Sequence, residues 1–368
     1  MKLLKLTILF LLCFSIFSGN SITNSQPIQW APDIITLNTN NIEQRREQLI
    51  DYVWGTNGWP KGKLPIVFRN LNYTAYWTSY LTNCPNLKSM DYGWYDMPLT
   101  PNEGKITTYF FRLVPTSNYN GNLFIYHAGH SSGFAGDSMW FLPTGTVPMH
   151  ELVKEGYEVI GMNMPLMDGN SPVPITLLNG TQTTLSTHED LYNHLDHPLR
   201  YFFDKIPVII DYYGANNYHH IYMMGLSGGG WTTTIYSALD RRISASFSVA
   251  DSIPLYLRVG FEGLGDAEQI DPLFHLANYS EFYVMGTYKN RLHYQLLNKY
   301  DDCCFYEFHN GAELNRYLNW VPNCVWKSQE LSEGRFRFYL STSIRYHGVS
   351  ADTMKVIIDA AAEYSKTH

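Results

Sequence analysis

The sequence has few charged residues and no concentrated run of basic ones. Only 16% of its 368 residues are Asp, Glu, Lys or Arg, whereas 45% are hydrophobic. Because this hydrophobic content is enough for a sizeable core, we do not expect a disordered chain. Lys and Arg number 26 against 33 Asp and Glu, so the net charge is −7. We therefore exclude nucleic acid as a partner, since binding phosphates requires a basic surface.

The N-terminal apolar run is too short to cross a membrane. It covers residues 6–17, about 12 residues, whereas a spanning helix needs about 20. The basic residues Lys2 and Lys5 precede it and small or polar residues follow it, which is the layout of a secretory signal peptide. We predict a signal peptide over residues 1–21, a secreted mature chain of net charge −9 and no stable membrane insertion. An uncleaved membrane anchor is the alternative.

Cysteine is scarce, and its count agrees with export. Removal of the signal peptide takes away Cys13 and leaves four cysteines: Cys84, Cys303, Cys304 and Cys324. An even number in an oxidising compartment suggests two disulfides, and we expect the adjacent Cys303 and Cys304 each to pair with Cys84 or Cys324. The spacing of these four cysteines does not match that of a zinc site. Three triplets could accept N-linked glycans, and they begin at Asn72, Asn179 and Asn278.

No internal repeat is present, and strand-like and helix-like segments alternate from about residue 106. The predicted strands are residues 106–114, 122–127, 157–163, 220–224, 244–249, 281–285 and 335–340. The predicted helices are residues 148–155, 197–213, 231–239 and 351–364. Such alternation favours an α/β fold with a mostly parallel central sheet flanked by helices. Ligands bind at the carboxyl ends of the strands in such sheets.

Two segments do not share this alternation. Residues 22–105 are rich in Asn, Trp and Tyr, and we predict an N-terminal extension packed on the α/β domain of residues 106–368. Residues of about 165–196 interrupt the alternation with Asn, Gly, Pro and Thr, and we interpret them as a cap-like insertion over a binding cleft.

The most informative motif is Gly225-Leu226-Ser227-Gly228-Gly229, between an apolar strand and a helix. Gly-x-Ser-x-Gly in this context is typical of a nucleophile elbow, whose serine lies on a strained turn. The flanking glycines let the strand and the helix approach each other. A phosphate-binding loop is excluded because no Lys-Ser or Lys-Thr follows the glycines. Ser227 is therefore the predicted nucleophile.

A serine nucleophile needs a histidine base and an acid that orients it. The downstream histidines considered are His275, His293, His309 and His347. We select His347, because it follows the last predicted strand and precedes the last helix. Asp301 is the preferred acid and Asp302 the reserve, although residues 286–300 separate them from the predicted strand 281–285. Asp251, directly after the preceding strand, is the other alternative.

When a serine attacks a carbonyl carbon, the carbonyl oxygen becomes a negatively charged oxyanion. Backbone amides should stabilise this oxyanion. The amide of Gly228 follows the nucleophile, and a second donor should lie in the loop after the strand 122–127. That loop reads His127-Ala128-Gly129-His130, so Gly129 or His130 is the predicted second donor.

A histidine-rich and acidic segment at residues 188–197 has the residue types of a metal site. It contains His188, Glu189, Asp190, His194, Asp196 and His197. Their spacing is not that of His-Glu-x-x-His, so we favour a polar helix start over a metal site.

Over residues of about 106–365 the chain resembles the α/β-hydrolases, and in particular secreted serine esterases. The resemblance is carried by Gly225-Leu226-Ser227-Gly228-Gly229, His127-Ala128-Gly129-His130 and Tyr346-His347-Gly348. It implies ester hydrolysis through an acyl-enzyme, with a small-molecule or acylated substrate and neither metal nor organic cofactor. A serine peptidase of the same fold, or a binding protein that retains the fold without activity, is the alternative.

Overall fold

The computed structural model describes residues 33–69, 84, 86–130, 148–167, 171–251, 253–257, 266–303 and 311–368. The predicted signal peptide, Asn72, Cys304 and His309 lie outside these residues.

A nine-stranded sheet forms the centre of the molecule. The strands of the described chain are β1 (Ile66–Phe68), β2 (Leu87–Pro98), β3 (Lys105–Pro115), β4 (Leu123–His127), β5 (Glu158–Met162), β6 (Val173–Thr176), β7 (Gln182–Leu185), β8 (Ile221–Leu226), β9 (Ile243–Val249), β10 (Leu292–Asn298) and β11 (Arg335–Ser341). The sheet order is β1-β2-β3-β5-β4-β8-β9-β10-β11, and β6 pairs with β7 separately. The six strands from β5 to β11 in this order are parallel, whereas β1, β2 and β3 pair antiparallel.

Helices cover both faces of the sheet. The α-helices of the described chain are α1 (Ile42–Trp54), α2 (Pro148–Lys154), α3 (His188–His194), α4 (Arg200–Phe203), α5 (Lys205–Tyr213), α6 (Gly228–Leu239), α7 (Tyr279–Met285), α8 (Ala312–Ser332) and α9 (Ala351–Thr367). Side chains alternate across a strand. In β8, Ile221 and Met223 therefore join the core under α1, α5, α6 and α7, while Tyr222 and Met224 join the core under α2 and α9. The predicted fold class, a mostly parallel sheet flanked by helices, is confirmed.

One predicted strand is wrong. Residues 281–285 belong to helix α7, which begins with a capping box in which Asn278 and Glu281 bond each other's backbone amides. Every residue of α7 is buried, so the segment has no polar face and its sequence resembles a buried strand. The strand of this region is β10, which begins seven residues after the last residue of α7. Asp301 therefore follows the end of β10 after only Lys299 and Tyr300.

The described part of residues 22–105 is joined to the rest of the fold. β1 and β2 extend the antiparallel edge of the central sheet, so strands from both sides of the predicted boundary at residue 105 share one sheet. The segment before α1 contacts α7: Thr36 donates to Glu281 from its amide at 2.8 Å and from its hydroxyl at 2.6 Å. The Ser280 amide donates to Asp33 at 2.9 Å.

The predicted insertion contains the β6–β7 hairpin and helix α3. A bridge between Glu103 and Thr176 ties the hairpin to the loop before β3. A capping box between Thr187 and Asp190 begins α3, as expected for a polar helix start. Among the described residues, we find no helix with the length and apolar character needed to cross a membrane.

The described cysteines occupy separate places in the fold. No disulfide joins any two of Cys84, Cys303 and Cys324. Cys84 and Cys324 are buried in different core clusters, so they are not partners of each other. Since Cys304 lies outside the described residues, its pairing stays a prediction.

A buried ion pair connects the antiparallel part of the sheet to the parallel part. Arg112 on β3 binds Glu158 on β5 with two hydrogen bonds, from Nε at 2.6 Å and from Nη2 at 2.8 Å. The same guanidinium donates to Asp91 on β2 at 3.0 Å. Glu158 and Asp91 are both buried, so this pair is poorly screened by water.

We expect Glu158→Ala to lower the free energy of unfolding by about 3 kcal/mol, because it leaves the Arg112 charge inadequately paired in the interior. Asp96→Ala is the matched control. It removes the exposed pair between Asp96 and Lys105 on neighbouring strands and should cost less than about 1 kcal/mol. Urea unfolding followed by circular dichroism measures both, and equal losses would contradict this account.

Candidate active site

Four loops meet at the carboxyl edge of the parallel strands. They follow β4, β8, β10 and β11, and they carry respectively Gly129 and His130, Ser227, Asp301 and Asp302, and His347. Parallel strands end at a common edge, so residues far apart in sequence are brought to one side of the sheet.

Ser227 lies on a strained turn between β8 and α6. Its φ is +58° and its ψ is −127°, a conformation that non-glycine residues rarely adopt. Its amide donates to the carbonyl of Val249 on β9 at 2.9 Å, which anchors the turn to the sheet. Ser227 is partly exposed, whereas Leu226 and Gly228 beside it are buried. The turn therefore presents this serine at the surface of a closely packed region.

The glycines around Ser227 are required by close backbone contacts. A Cβ on Gly225 would collide with the backbone of Gly229, and a Cβ on Gly229 would collide with the carbonyl of His127. Gly129, at φ +76°, packs on the same turn, where a Cβ would lie 2.5 Å from the carbonyl oxygen of Leu226. The loop after β4 and the serine turn are thus in direct contact.

The backbone amides that could stabilise an oxyanion differ in their surroundings. Gly228 is the first residue of α6, so its amide has no acceptor within the helix. The amide of Gly129 instead donates to Nδ1 of His127 at 3.4 Å. The His130 side chain lies over the serine turn, and a Cβ on Gly228 would be 2.5 Å from its Nδ1. The amide of Gly129 therefore already has an acceptor, and which of the two amides is the second donor stays a prediction.

His347 and Asp301 form a buried hydrogen-bonded pair. The Asp301 Oδ2 lies 2.7 Å from Nδ1 of His347, and the Asp301 side chain is wholly buried. The other carboxylate oxygen, Oδ1, accepts from the amide of Cys303 at 3.0 Å. Because a carboxylate oxygen, which accepts a hydrogen bond, faces Nδ1, the hydrogen of a neutral imidazole lies on Nδ1 and the lone pair lies on Nε2.

Two further contacts hold the His347 loop. The amide of His347 donates to Oδ1 of Asp302 at 3.0 Å, and the side-chain amide of Asn298, at the end of β10, donates to the carbonyl of Gly348 at 2.8 Å. The two adjacent aspartates thus have separate contacts, since Asp301 binds the ring of His347 and Asp302 binds its backbone.

Asp251 occupies a different environment. Its carboxylate accepts from the hydroxyl of Thr234 on α6 at 2.9 Å and from Gln295 on β10 at 3.5 Å. These contacts fix the loop after β9 against α6.

The environment of His347 favours the protonated ring. Burial by itself lowers the pKa of an imidazole, but the hydrogen bond and the negative charge of Asp301 outweigh this effect and raise the pKa of His347 above 6.5. A histidine in this environment binds a proton readily during a reaction and is stabilised as the imidazolium.

The residues at 188–197 do not form one cluster. Asp190 caps α3, and His197 contacts the carbonyl of Tyr52 at 2.8 Å. His188 instead lies close to His130, Asp266 and Glu268. Sequence reasoning missed the two acids, which lie in a 3₁₀ turn after β9 with no motif around them.

The comparisons with known proteins bear on the fold. No protein-family model matches the sequence, and no curated protein matches it. Among solved structures, the chain is similar to the methylesterase BT1017, with 14% identity, a TM-score of 0.52 and 89% of this chain covered. The chain spans 63% of the length of that methylesterase.

A second similar structure is BF1801 of Bacteroides fragilis, a candidate acetyl xylan esterase. It is 13% identical, with a TM-score of 0.53, and the match covers 85% of this chain and 81% of that one. At such identities the likeness concerns the fold. The sheet order, the turn at Ser227 and these neighbours together show that the chain has the α/β-hydrolase fold.

Proposed function

We propose that the protein is a carboxylic ester hydrolase that works through an acyl-enzyme, with Ser227 as nucleophile, His347 as base and Asp301 as the orienting acid. The observation that carries this proposal is the 2.7 Å contact between Asp301 and His347 at the edge of the sheet where the strained Ser227 is also presented. A buried carboxylate that holds an imidazole at the same edge of the sheet as such a serine turn matches the roles of a catalytic triad.

The proposed reaction has two steps. The Ser227 oxygen attacks the ester carbonyl while Nε2 of His347 takes its proton, and the tetrahedral intermediate expels the alcohol, which receives that proton. Water then attacks the acyl-serine while His347 takes a proton from it, the carboxylic acid is released, and His347 returns this proton to the Ser227 oxygen. The amides of Gly228 and His130 would stabilise the oxyanion in both steps.

We also propose that the mature protein lies outside the cell or in the secretory route, because residues 1–21 have the layout of a signal peptide that is removed. N-terminal sequencing of protein from the culture medium tests this.

Of the two described glycan acceptors, Asn179 is exposed, whereas the side-chain amide of Asn278 donates to the carbonyl of Ile34 at 2.9 Å. Asn179 is therefore the more accessible acceptor.

We expect Asp301→Asn to lower kcat by about 10⁴-fold on a small acetyl ester, because the amide no longer holds His347 in the productive tautomer. Asp251→Asn is the matched control and should keep kcat within about tenfold of the native enzyme, since Asp251 contacts Thr234 and Gln295 rather than His347. Hydrolysis of p-nitrophenyl acetate measures both, with a methyl ester as second substrate. A larger loss in Asp251→Asn than in Asp301→Asn would assign the acid to Asp251.

The pH dependence of hydrolysis follows from the state of His347. The base must be neutral to accept a proton, so kcat/KM should fall as the pH drops through the His347 pKa. Because Asp301 raises that pKa above 6.5, the midpoint of this acid limb should lie above pH 6.5. Asp251→Asn should leave the midpoint in place. An acid limb centred near pH 5 in the native enzyme would contradict the assignment of His347.

A further inference from the structure

Four potential metal ligands from three separate segments converge beside the serine turn. They are His130 after β4, His188 at the start of α3, and Asp266 and Glu268 in the 3₁₀ turn after β9. One nitrogen or oxygen atom of each residue lies within 4.8 Å of those of all the others. The mechanism proposed above uses none of these side chains.

The separations of these atoms suit a tetrahedral ion. Nε2 of His130 lies 2.9 Å from Oδ2 of Asp266, 3.3 Å from Oε1 of Glu268 and 3.3 Å from Nδ1 of His188. Nδ1 of His188 lies 3.1 Å from Oε2 of Glu268. With metal–ligand distances of about 2.0–2.1 Å, neighbouring ligand atoms of a tetrahedral site are about 3.3 Å apart. The remaining pairs of ligand atoms lie within 4.8 Å of each other, so these side chains move closer together where they enclose one ion.

The tautomer of His188 supports a cation at this point. Nε2 of His188 lies 3.0 Å from the carbonyl oxygen of Pro165, which can only accept, so Nε2 carries the hydrogen. In the neutral ring the Nδ1 lone pair then faces the carboxylate of Glu268. Two electron-rich atoms at this distance repel each other unless a proton or a metal ion lies between them. A backbone carbonyl that fixes the outer nitrogen of a histidine is also the usual support of a metal ligand.

Burial and charge favour an ion over solvent. The side chains of Glu268 and His188 are 0% and 3% exposed. The carboxylates of Asp266 and Glu268 both lie beside the ring of His130. A divalent ion would neutralise both carboxylates at once and offset the cost of burying Glu268.

We propose that His130, His188, Asp266 and Glu268 form a binding site for a divalent transition-metal ion of the zinc type. Two imidazoles with two carboxylates match zinc, whereas Mg²⁺ and Ca²⁺ favour oxygen ligands alone.

The site ties the loop after β4 to α3 and to the turn after β9. The ring of His130 separates the ion from Gly228, because Nδ1 faces Gly228 while Nε2 faces the cluster. The ion therefore holds the His130 loop in place and does not touch the reacting atoms. This inference does not rest on the proposed esterase activity.

The test uses the full chain without an affinity tag, dialysed against a chelator and then titrated with Zn²⁺ or Co²⁺ alone. We expect one ion per chain by equilibrium dialysis and metal analysis, the visible absorption of tetrahedral Co²⁺, and a higher Tm with Zn²⁺. His188→Gln and Glu268→Gln should weaken the binding of Zn²⁺ by at least about 100-fold.

Glu189→Gln and His194→Gln are the matched controls, because they lie on the same helix as His188 but outside the cluster. Both should bind Zn²⁺ as the native chain does. If either cluster variant fails to fold, His130→Gln replaces it, since the side chain of His130 is 26% exposed. The proposal is overturned if the native chain does not bind Zn²⁺, or if the cluster variants bind it as tightly as the controls.

Discussion

The contact between the backbone of β8–α6 and the end of β4 is the constraint on which the candidate site depends. Gly225, Gly229 and Gly129 lie where a Cβ would meet main-chain atoms, so the strand, the helix and the neighbouring loop can pack without intervening side chains. This packing leaves the turn at Ser227 little room and is compatible with its φ of +58°. The nucleophile and the loop that carries its proposed oxyanion donor are thereby held together.

The other half of the site depends on strand pairing. β10 and β11 pair in parallel from Leu292 with Arg335 to Asn298 with Ser341, so the loops that follow them leave the sheet side by side. Asn298, Asp301 and Asp302 then each bind a different part of the His347 loop. Because these contacts come from the end of one strand, the imidazole is positioned by backbone geometry as well as by the side chain of Asp301.

Most of the parallel part of the fold could be predicted from the sequence, and the reasons for the errors are physical. β4 and β8 are buried on both sides, so they appear as short apolar runs between turn residues, whereas β9 alternates apolar residues with serines. Helix α7 is also buried all round, and its capping box at Asn278 and Glu281 was the signal that separates it from a strand. Once residues 281–285 are recognised as a helix, the strand before Asp301 is β10. Asp301 then lies only three residues after the last residue of its strand.

Strand β2 and the proposed metal site could not be predicted from a single sequence. The buried face of β2 contains Asp91, and its other face carries Tyr92 and Trp94, which stack on aromatic rings of neighbouring strands. Polar and apolar residues therefore do not alternate as a half-buried strand requires. Glu268 lies 80 residues from His188 in the chain, and only the fold brings them together.

The most direct test of the central claim is labelling of the native chain by a fluorophosphonate, followed by peptide mapping. A serine activated by His347 should form a phosphonyl adduct at Ser227, and Ser227→Ala should form none. We expect one labelled peptide in the native chain, the one that contains Ser227. A native chain that does not label, or equal labelling of Ser227→Ala, would show that Ser227 is not the nucleophile.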